Sequence, residues 1–484
     1  MRFKKIIFIL LIIFTVVLLP SCKKDENKGE KLTGKYELET VYVDGEISTS
    51  YYITYQIEFK DDYTCEVKIY GLGGLETRNS TYYYDGDFIT ETYNDTTYTY
   101  MFSNGKLIHE DTPNGIKVIF KEYQEELPDT EKEVDFDSIL FGESIDETKI
   151  FNYCPAILVE DDVMHIWYCT NKTSGVIMDH IGYRTGTKTE NGKWKFSEQQ
   201  IVLAPTPGTW DGRHTCDPAV IKGEFKMQGE TYNYLMSYLG CVTEDYSKNE
   251  TGIAVSKTPA GPWIKVDSLN PIVPWGDPKI FGDNTDRNSF TSWGTGMPAL
   301  ISIDGKGEVL LFFQTSSRGT GIQRWDLSDL DNPQVKFDVA RNNNGIVNSQ
   351  GLKCNVGITD YAYDQAAKRF YVFGVTNEKN PPNITETLVN SHCVLAYIEN
   401  VESTEQLCEI LQSNNYTWKC EGYVGPENTG WDRNHNPGIV RDPYGYIMDS
   451  SIIQVVVATG RRDYPNQNIY TYRLHGHTFN INLG

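Results

Sequence analysis

The feature that most restricts how this chain can fold is a strand-opening pattern that returns about five times between residues 150 and 440. It reads Cys154-Pro155-Ala156-Ile157-Leu158, then Asp217-Pro218-Ala219-Val220-Ile221, then Met297-Pro298-Ala299-Leu300-Ile301. Looser copies are Gly357-Ile358-Thr359-Asp360-Tyr361 and Asn436-Pro437-Gly438-Ile439-Val440. Each is followed by further short runs of β-branched and aromatic residues, the composition that suits strands. A repeated unit of three or four strands cannot bury its apolar face alone and must stack on its neighbours. The expectation is an all-β chain whose residues 138–484 form a five-bladed β-propeller, the first strand of each blade lining the central channel.

Residues 33–123 carry a different β pattern. Short alternating segments end at Asp44-Gly45, Asp61-Asp62, Asp85-Gly86, Asn104-Gly105 and Pro113-Asn114-Gly115, which are hairpin turn signals. Seven or eight such strands imply a small up-and-down antiparallel β-barrel or sandwich. Such a barrel either holds an apolar ligand or is filled by its own side chains. Between the two parts, residues 124–137 hold seven acids and one proline and read as an exposed acidic linker.

The N-terminus has the layout of a secretory signal. Arg2, Lys4 and Lys5 precede Ile6 to Leu19, fourteen residues in which only Thr15 is not strongly apolar. This falls short of the roughly 20 apolar residues of a membrane span. Leu19-Pro20-Ser21-Cys22 then gives way to Lys23, Lys24, Asp25 and Glu26. This ending resembles the lipobox of bacterial lipoproteins. The resemblance implies a signal peptide over 1–21, lipid attachment at Cys22 and a tether over 22–32. The charged run after Cys22 is similar to the signal that sends Bacteroidetes lipoproteins to the outer surface of the outer membrane. The Gly34-Lys35-Tyr36 opening of the following β part resembles the small lipocalin-like domains of such lipoproteins.

Charge narrows the partners. The formal net charge is −22, and losing residues 1–21 removes three bases and no acids, giving about −25. Nucleic acid is therefore excluded as a partner, and a membrane is approached through the lipid anchor only. The 32 Tyr and 9 Trp suit both β-sheet and stacking on sugar rings. Ten cysteines leave nine beside Cys22, an odd number that cannot all pair within one chain. Cys408 and Cys420 are near enough for a local loop. Cys154, Cys169, Cys216 and Cys241 sit at similar positions in consecutive repeats and read as structural thiols or disulfides.

Two motifs carry a further resemblance. Asp217-Pro218 with the strand Tyr232 to Tyr238, and Gly252-Ile253-Ala254-Val255-Ser256 with Pro259-Ala260-Gly261-Pro262-Trp263, are similar to the second blade of five-bladed propeller glycosidases. That clan includes glycoside hydrolase families 32, 43, 62 and 117. The resemblance implies channel acids, because glycoside cleavage needs one carboxylic acid to protonate the leaving oxygen and one carboxylate to activate water or attack. Asp217 and Asp360 are the candidate catalytic pair. The first blade offers Asn152-Tyr153-Cys154 where many relatives carry Asp, and the third offers Gly294-Thr295-Gly296, so the three-acid set is incomplete.

Around the pair, Trp210, Arg213 and His214 lead into Asp217, while Trp431, His435 and Asn436 lead into the last repeat. With Trp293 these are the candidate substrate-binding residues. The histidines can tune a carboxylate, bind a hydroxyl or hold a divalent cation in the channel; no cofactor is implied with certainty. Asp179-His180 reads as structural. The expected function is a surface glycoside hydrolase acting on a poly- or oligosaccharide. The alternative is a non-catalytic glycan-binding lipoprotein of a polysaccharide-utilisation system.

Overall fold

The computed structural model describes residues 31–483 except 48–51, 72–73, 123–129, 143–147, 245–246, 277–292, 316–318, 343–345, 348–352, 355, 377–390, 414 and 461–468. The signal segment, Cys22 and most of the tether lie outside the described residues. The chain divides into two compact units, Met1–Glu125 and Glu126–Gly484.

The first unit is one antiparallel sheet. Gly34–Val43, Tyr52–Phe59, Thr64–Gly71, Gly74–Tyr84, Phe88–Tyr93, Thr96–Ser103, Lys106–Asp111 and Ile116–Glu122 each pair with the next. The last returns to the first, from Tyr36 opposite Glu122 to Val43 opposite Ile116. The eight strands thus curl into a barrel rather than a sandwich. Alternation puts Tyr55, Ile57, Phe59, Val67, Ile89, Val118 and Phe120 inside, where they pack as one cluster.

That interior also holds an ion pair. Arg78 Nε donates to Glu91 Oε1 at 3.0 Å and Arg78 Nη2 to Oε2 at 3.3 Å. Ser80 Oγ and Tyr100 OH donate to the same carboxylate at 2.7 and 2.6 Å. Both Glu91 oxygens therefore have two partners, which is what a fully buried charge requires. Within Phe88–Tyr93, Glu91 puts a charge on the inner face and interrupts its apolar alternation.

The second unit repeats an antiparallel arrangement along the chain. Its opening strands are Asn152–Glu160, His214–Met227, Thr295–Ser302, Val356–Asp364 and Arg433–Arg441. They pair respectively with Val163–Asn171, Glu230–Cys241, Glu308–Thr315, Arg369–Thr376 and Ile452–Gly460. Each opening strand contacts the next one, and the last contacts the first. The ladders resolve as four sheets, since Ile157 and Leu158 pair in parallel with Val440 and Arg441 and join the first and last repeats. Gly438 permits this approach: a Cβ there would stand 2.4 Å from the Pro155 carbonyl oxygen. The last repeat takes its outer strand, Ile139–Phe141, from the beginning of the unit, paired to Arg473–Asn480.

Three details depart from the sequence reading. The end of the expected linker is not wholly exposed: Val134 exchanges backbone hydrogen bonds with Trp194 and Phe136 is buried in the second unit's core, while Glu133, Asp135 and Asp137 stay exposed. Thr404–Ser413 forms an α-helix whose apolar face, Leu407, Cys408 and Leu411, packs into a core cluster. Cys408 lies within that helix, and neither it nor Cys420 is in a disulfide. The disulfide present is Cys169–Cys216, which ties the first repeat to the second.

Candidate functional site

All five opening strands break their ladder at the same place. The register shifts between Tyr153 and Ala156, Cys216 and Ala219, Gly296 and Ala299, Gly357 and Thr359, and His435 and Gly438. At each bulge one non-glycine residue takes a left-handed backbone: Cys154 (φ 51°), Asp217 (φ 48°), Met297 (φ 47°), Ile358 (φ 51°) and Asn436 (φ 45°). A bulge re-aims a side chain. Such a conformation costs of order 1–3 kcal/mol per residue and persists only where the surroundings impose it. These five residues line one cavity.

Asp217 and Asp360 both border that cavity, but they are not equivalent. The counterpart of Asp217 in the fourth repeat is Ile358, and Asp360 stands two residues further on, where other repeats carry Ala156, Ala219, Ala299 or Gly438. This corrects the expectation that both acids open their strands alike; the fourth repeat lacks the proline that marks the bulge elsewhere.

Their surroundings differ as well. Asp217 accepts from the Met297 backbone N–H at 3.2 Å and from the Cys154 thiol. Burial, with a contribution from the nearby Asp179 carboxylate, pushes its pKa up to about 6. Asp360 forms a buried ion pair with Arg441 at 2.8 Å. It also accepts from the backbone N–H groups of Tyr361 at 2.9 Å and Ile439 at 2.8 Å. Arg441 was not singled out in the sequence, although a charge closing the apolar run Gly438-Ile439-Val440 is itself a signal.

The histidines serve other partners. His214 Nδ1 lies 2.9 Å from Asp179 Oδ2, with both side chains buried. Asp179, read as merely structural, is thus the residue that holds His214. His435 packs its ring edge-on against Tyr472 at 4.4 Å, and burial pushes its pKa down to about 3, so the ring is neutral. Asn436 Nδ2 donates to Cys154 Sγ at 2.6 Å. Arg213 turns toward the Ile177 carbonyl and Glu244 instead.

The tryptophans do not form a common stacking surface. Trp210 lies against Gly240 and Gly252, where added Cβ atoms would come within 2.2 and 2.4 Å of its ring, and against Tyr238. The adjoining Asp211 accepts from Tyr238 OH at 3.0 Å and pairs with Lys265. The Trp-Asp pair is therefore a packing device of the second repeat. Trp293 packs on the cluster of Cys154, Cys169, Cys216, Leu239 and Cys241. Trp431 carries the Arg473 guanidinium over its ring at 5.7 Å. Among the described residues, the metal-capable atoms that converge are those of Cys154, Cys169, Cys216 and Asp217. Neither histidine belongs to that group.

The raised pKa of Asp217 has a consequence for stability. A carboxyl that ionises more readily in the unfolded chain makes the fold lose stability as pH rises from about 4 to about 6. The loss is complete above that window and is on the order of 2–3 kcal/mol. Asp217→Asn removes the ionisation. Urea unfolding at pH 7.5 is expected to show the variant more stable than the parent, with the difference vanishing at pH 4. Equal stability at both pH values would mean that burial does not oppose this charge.

No protein-family model and no curated protein matches the chain. Solved structures do match at low identity. A family 117 glycoside hydrolase from Zobellia galactanivorans is 12% identical, covering 71% of this chain and 89% of its own, with a TM-score of 0.41. A family 43 enzyme from Xanthomonas citri is 13% identical, covering 68% and 89%, with a TM-score of 0.38. An α-L-arabinofuranosidase from Podospora anserina, in complex with cellotriose, is 12% identical, covering 74% and 99%, with a TM-score of 0.40.

Proposed function

We propose that the second unit is a five-bladed β-propeller acting as a glycoside hydrolase on a poly- or oligosaccharide, with Asp217 as its ionisable channel group. The observation that carries this reading is a buried carboxylic acid whose pKa is pushed to about 6, bordering a cavity shared with a second carboxylate. A raised pKa suits a general acid, which must hold its proton until the leaving oxygen takes it. Asp360 would be the partner that activates water or attacks. Its three acceptor contacts leave room for one more on a carboxylate. The test is release of reducing ends from a panel of plant and algal oligosaccharides, with Asp217→Asn as the control.

One observation favours a second reading, a non-catalytic glycan-binding protein. Met297 and Ile358 occupy two of the five bulge positions and bring no ionisable group, while Asp360 is engaged by Arg441. Under this reading sugars bind and no reducing ends appear.

The place of action proposed is the outer face of an outer membrane, reached by export and a lipid on Cys22, with the lipocalin-like β unit as spacer. Support comes from the basic, apolar and lipobox segments before residue 23. Cys22→Ala is expected to leave the precursor unprocessed or release the protein from the membrane fraction. Unchanged processing and attachment would rule out the lipoprotein reading.

A further inference from the structure

The channel holds a second kind of donor set, three sulfurs that glycan cleavage does not use beside the shared Asp217. Cys154 and Asp217 project from adjacent bulges, Cys216 immediately precedes Asp217, and Cys169 comes from the strand beside Cys154. One ligand-type atom from each lies within 4.8 Å of all the others. Three sulfurs and one carboxylate oxygen are the donor number and type of a tetrahedral site for a thiophilic divalent cation.

A second observation points the same way. Two of the sulfurs already receive N–H donors: Asp217 N–H reaches Cys169 Sγ at 2.8 Å and Asn436 Nδ2 reaches Cys154 Sγ at 2.6 Å. The Tyr153 hydroxyl stands 3.1 Å from Cys216 Sγ and 3.1 Å from Asp179 Oδ1. The two N–H groups offset thiolate charge and orient the ligands around a metal, while the Tyr153 proton goes to Asp179. Cys154 and Asp217 border the cavity, which gives a cation a way in.

We propose that Cys154, Cys169, Cys216 and Asp217 bind one thiophilic divalent cation such as Zn2+ when reduced, and that the Cys169–Cys216 disulfide is the metal-free form of the same site. The balance is simple. A dithiol or phosphine reductant supplies two electrons, and two protons are taken up as the Sγ–Sγ bond breaks into two thiols. These and the Cys154 thiol lose their protons to solvent on binding the cation, so up to three protons leave for each metal ion bound. The inference goes beyond the glycosidase reading and does not need turnover.

The test is a cobalt titration of the full chain, reduced with a phosphine, beside the same chain left oxidised. The reduced chain is expected to take up one Co2+ with thiolate-to-metal absorption in the near ultraviolet, and the oxidised chain none. Cys154→Ser should weaken uptake by about tenfold or more, since losing even an outer-sphere partner costs that much. Cys393→Ser, whose sulfur faces the Asn434 carbonyl, should change nothing. Circular dichroism establishes that each variant is folded. If Cys154→Ser is not, the parent's reduced and oxidised forms still decide the matter. No thiolate absorption at stoichiometric cobalt, or equal uptake in both forms, overturns the proposal.

Discussion

Asp217→Asn is expected to reduce hydrolysis of any glycan substrate by about 10²–10⁴ in kcat, the range for losing a general acid or base. Sugar affinity should change little. The side chain keeps its shape, still tolerates the left-handed backbone of this position, and still offers an oxygen to the Met297 N–H. Only the proton that a leaving oxygen needs is gone. The measurement is kcat and KM against reducing-end release, with affinity read separately by calorimetry. A collapse of affinity in a protein that never turned over would make Asp217 a binding residue, and the glycan-binding reading would stand.

The stability difference argued above separates this from damage to the fold. A variant more stable at pH 7.5 and inactive has lost chemistry, whereas one less stable and inactive has lost structure. Asp360→Asn offers a contrast. It leaves Arg441 facing a neutral amide, so destabilisation is expected whether or not Asp360 also takes part in catalysis.

The second large effect is expected in the first unit. Glu91→Ala should destabilise it by about 3–5 kcal/mol, because removing the close partner of a buried pair leaves Arg78 with only the exposed Glu76 at 3.8 Å. Arg78 would keep its guanidinium inside the barrel, 4% exposed, with Ser80 and Tyr100 deprived of their acceptor. Replacing Arg78 and Glu91 together with Met and Leu should recover much of the loss, since a buried pair is often matched by well-packed apolar residues. Urea unfolding of the full chain, followed by tyrosine signals, reads both variants. A Glu91→Ala change below 1 kcal/mol would mean that water reaches the barrel interior and solvates Arg78.

How much of this was legible in the residues varies with distance along the chain. The proline-marked openings at Cys154, Asp217, Met297 and Asn436 announced four of the five bulges. The fourth repeat misled, because without a proline its acid, Asp360, was aligned with Asp217 when Ile358 is the true counterpart. The packing of Trp210 was hidden for a related reason. Gly240 and Gly252, the bare backbone on which its ring lies, are 30 and 42 residues further on. Nothing within the motif distinguishes a tryptophan packed inward from one facing a ligand. The burial of Glu91 was not legible either, since an acid reads as an exposed position until its partners are known.

The sequence by itself determined the all-β class, the hairpin turns of the first unit and the repeated strand opening of the second. These are encoded by side-chain alternation and turn chemistry within a few neighbouring residues, and need no partner from elsewhere. Tertiary structure alone decided which groups meet. Arg441 reaches Asp360 across 81 positions, His214 reaches Asp179 across 35, and Cys216 finds Cys169 across 47. Each of these contacts joins strands of adjacent repeats. No single repeat carries the information, because the pairing exists only once the opening strands have met around their common cavity, where Asp360 finds Arg441 and Asp217 is left buried without a cation.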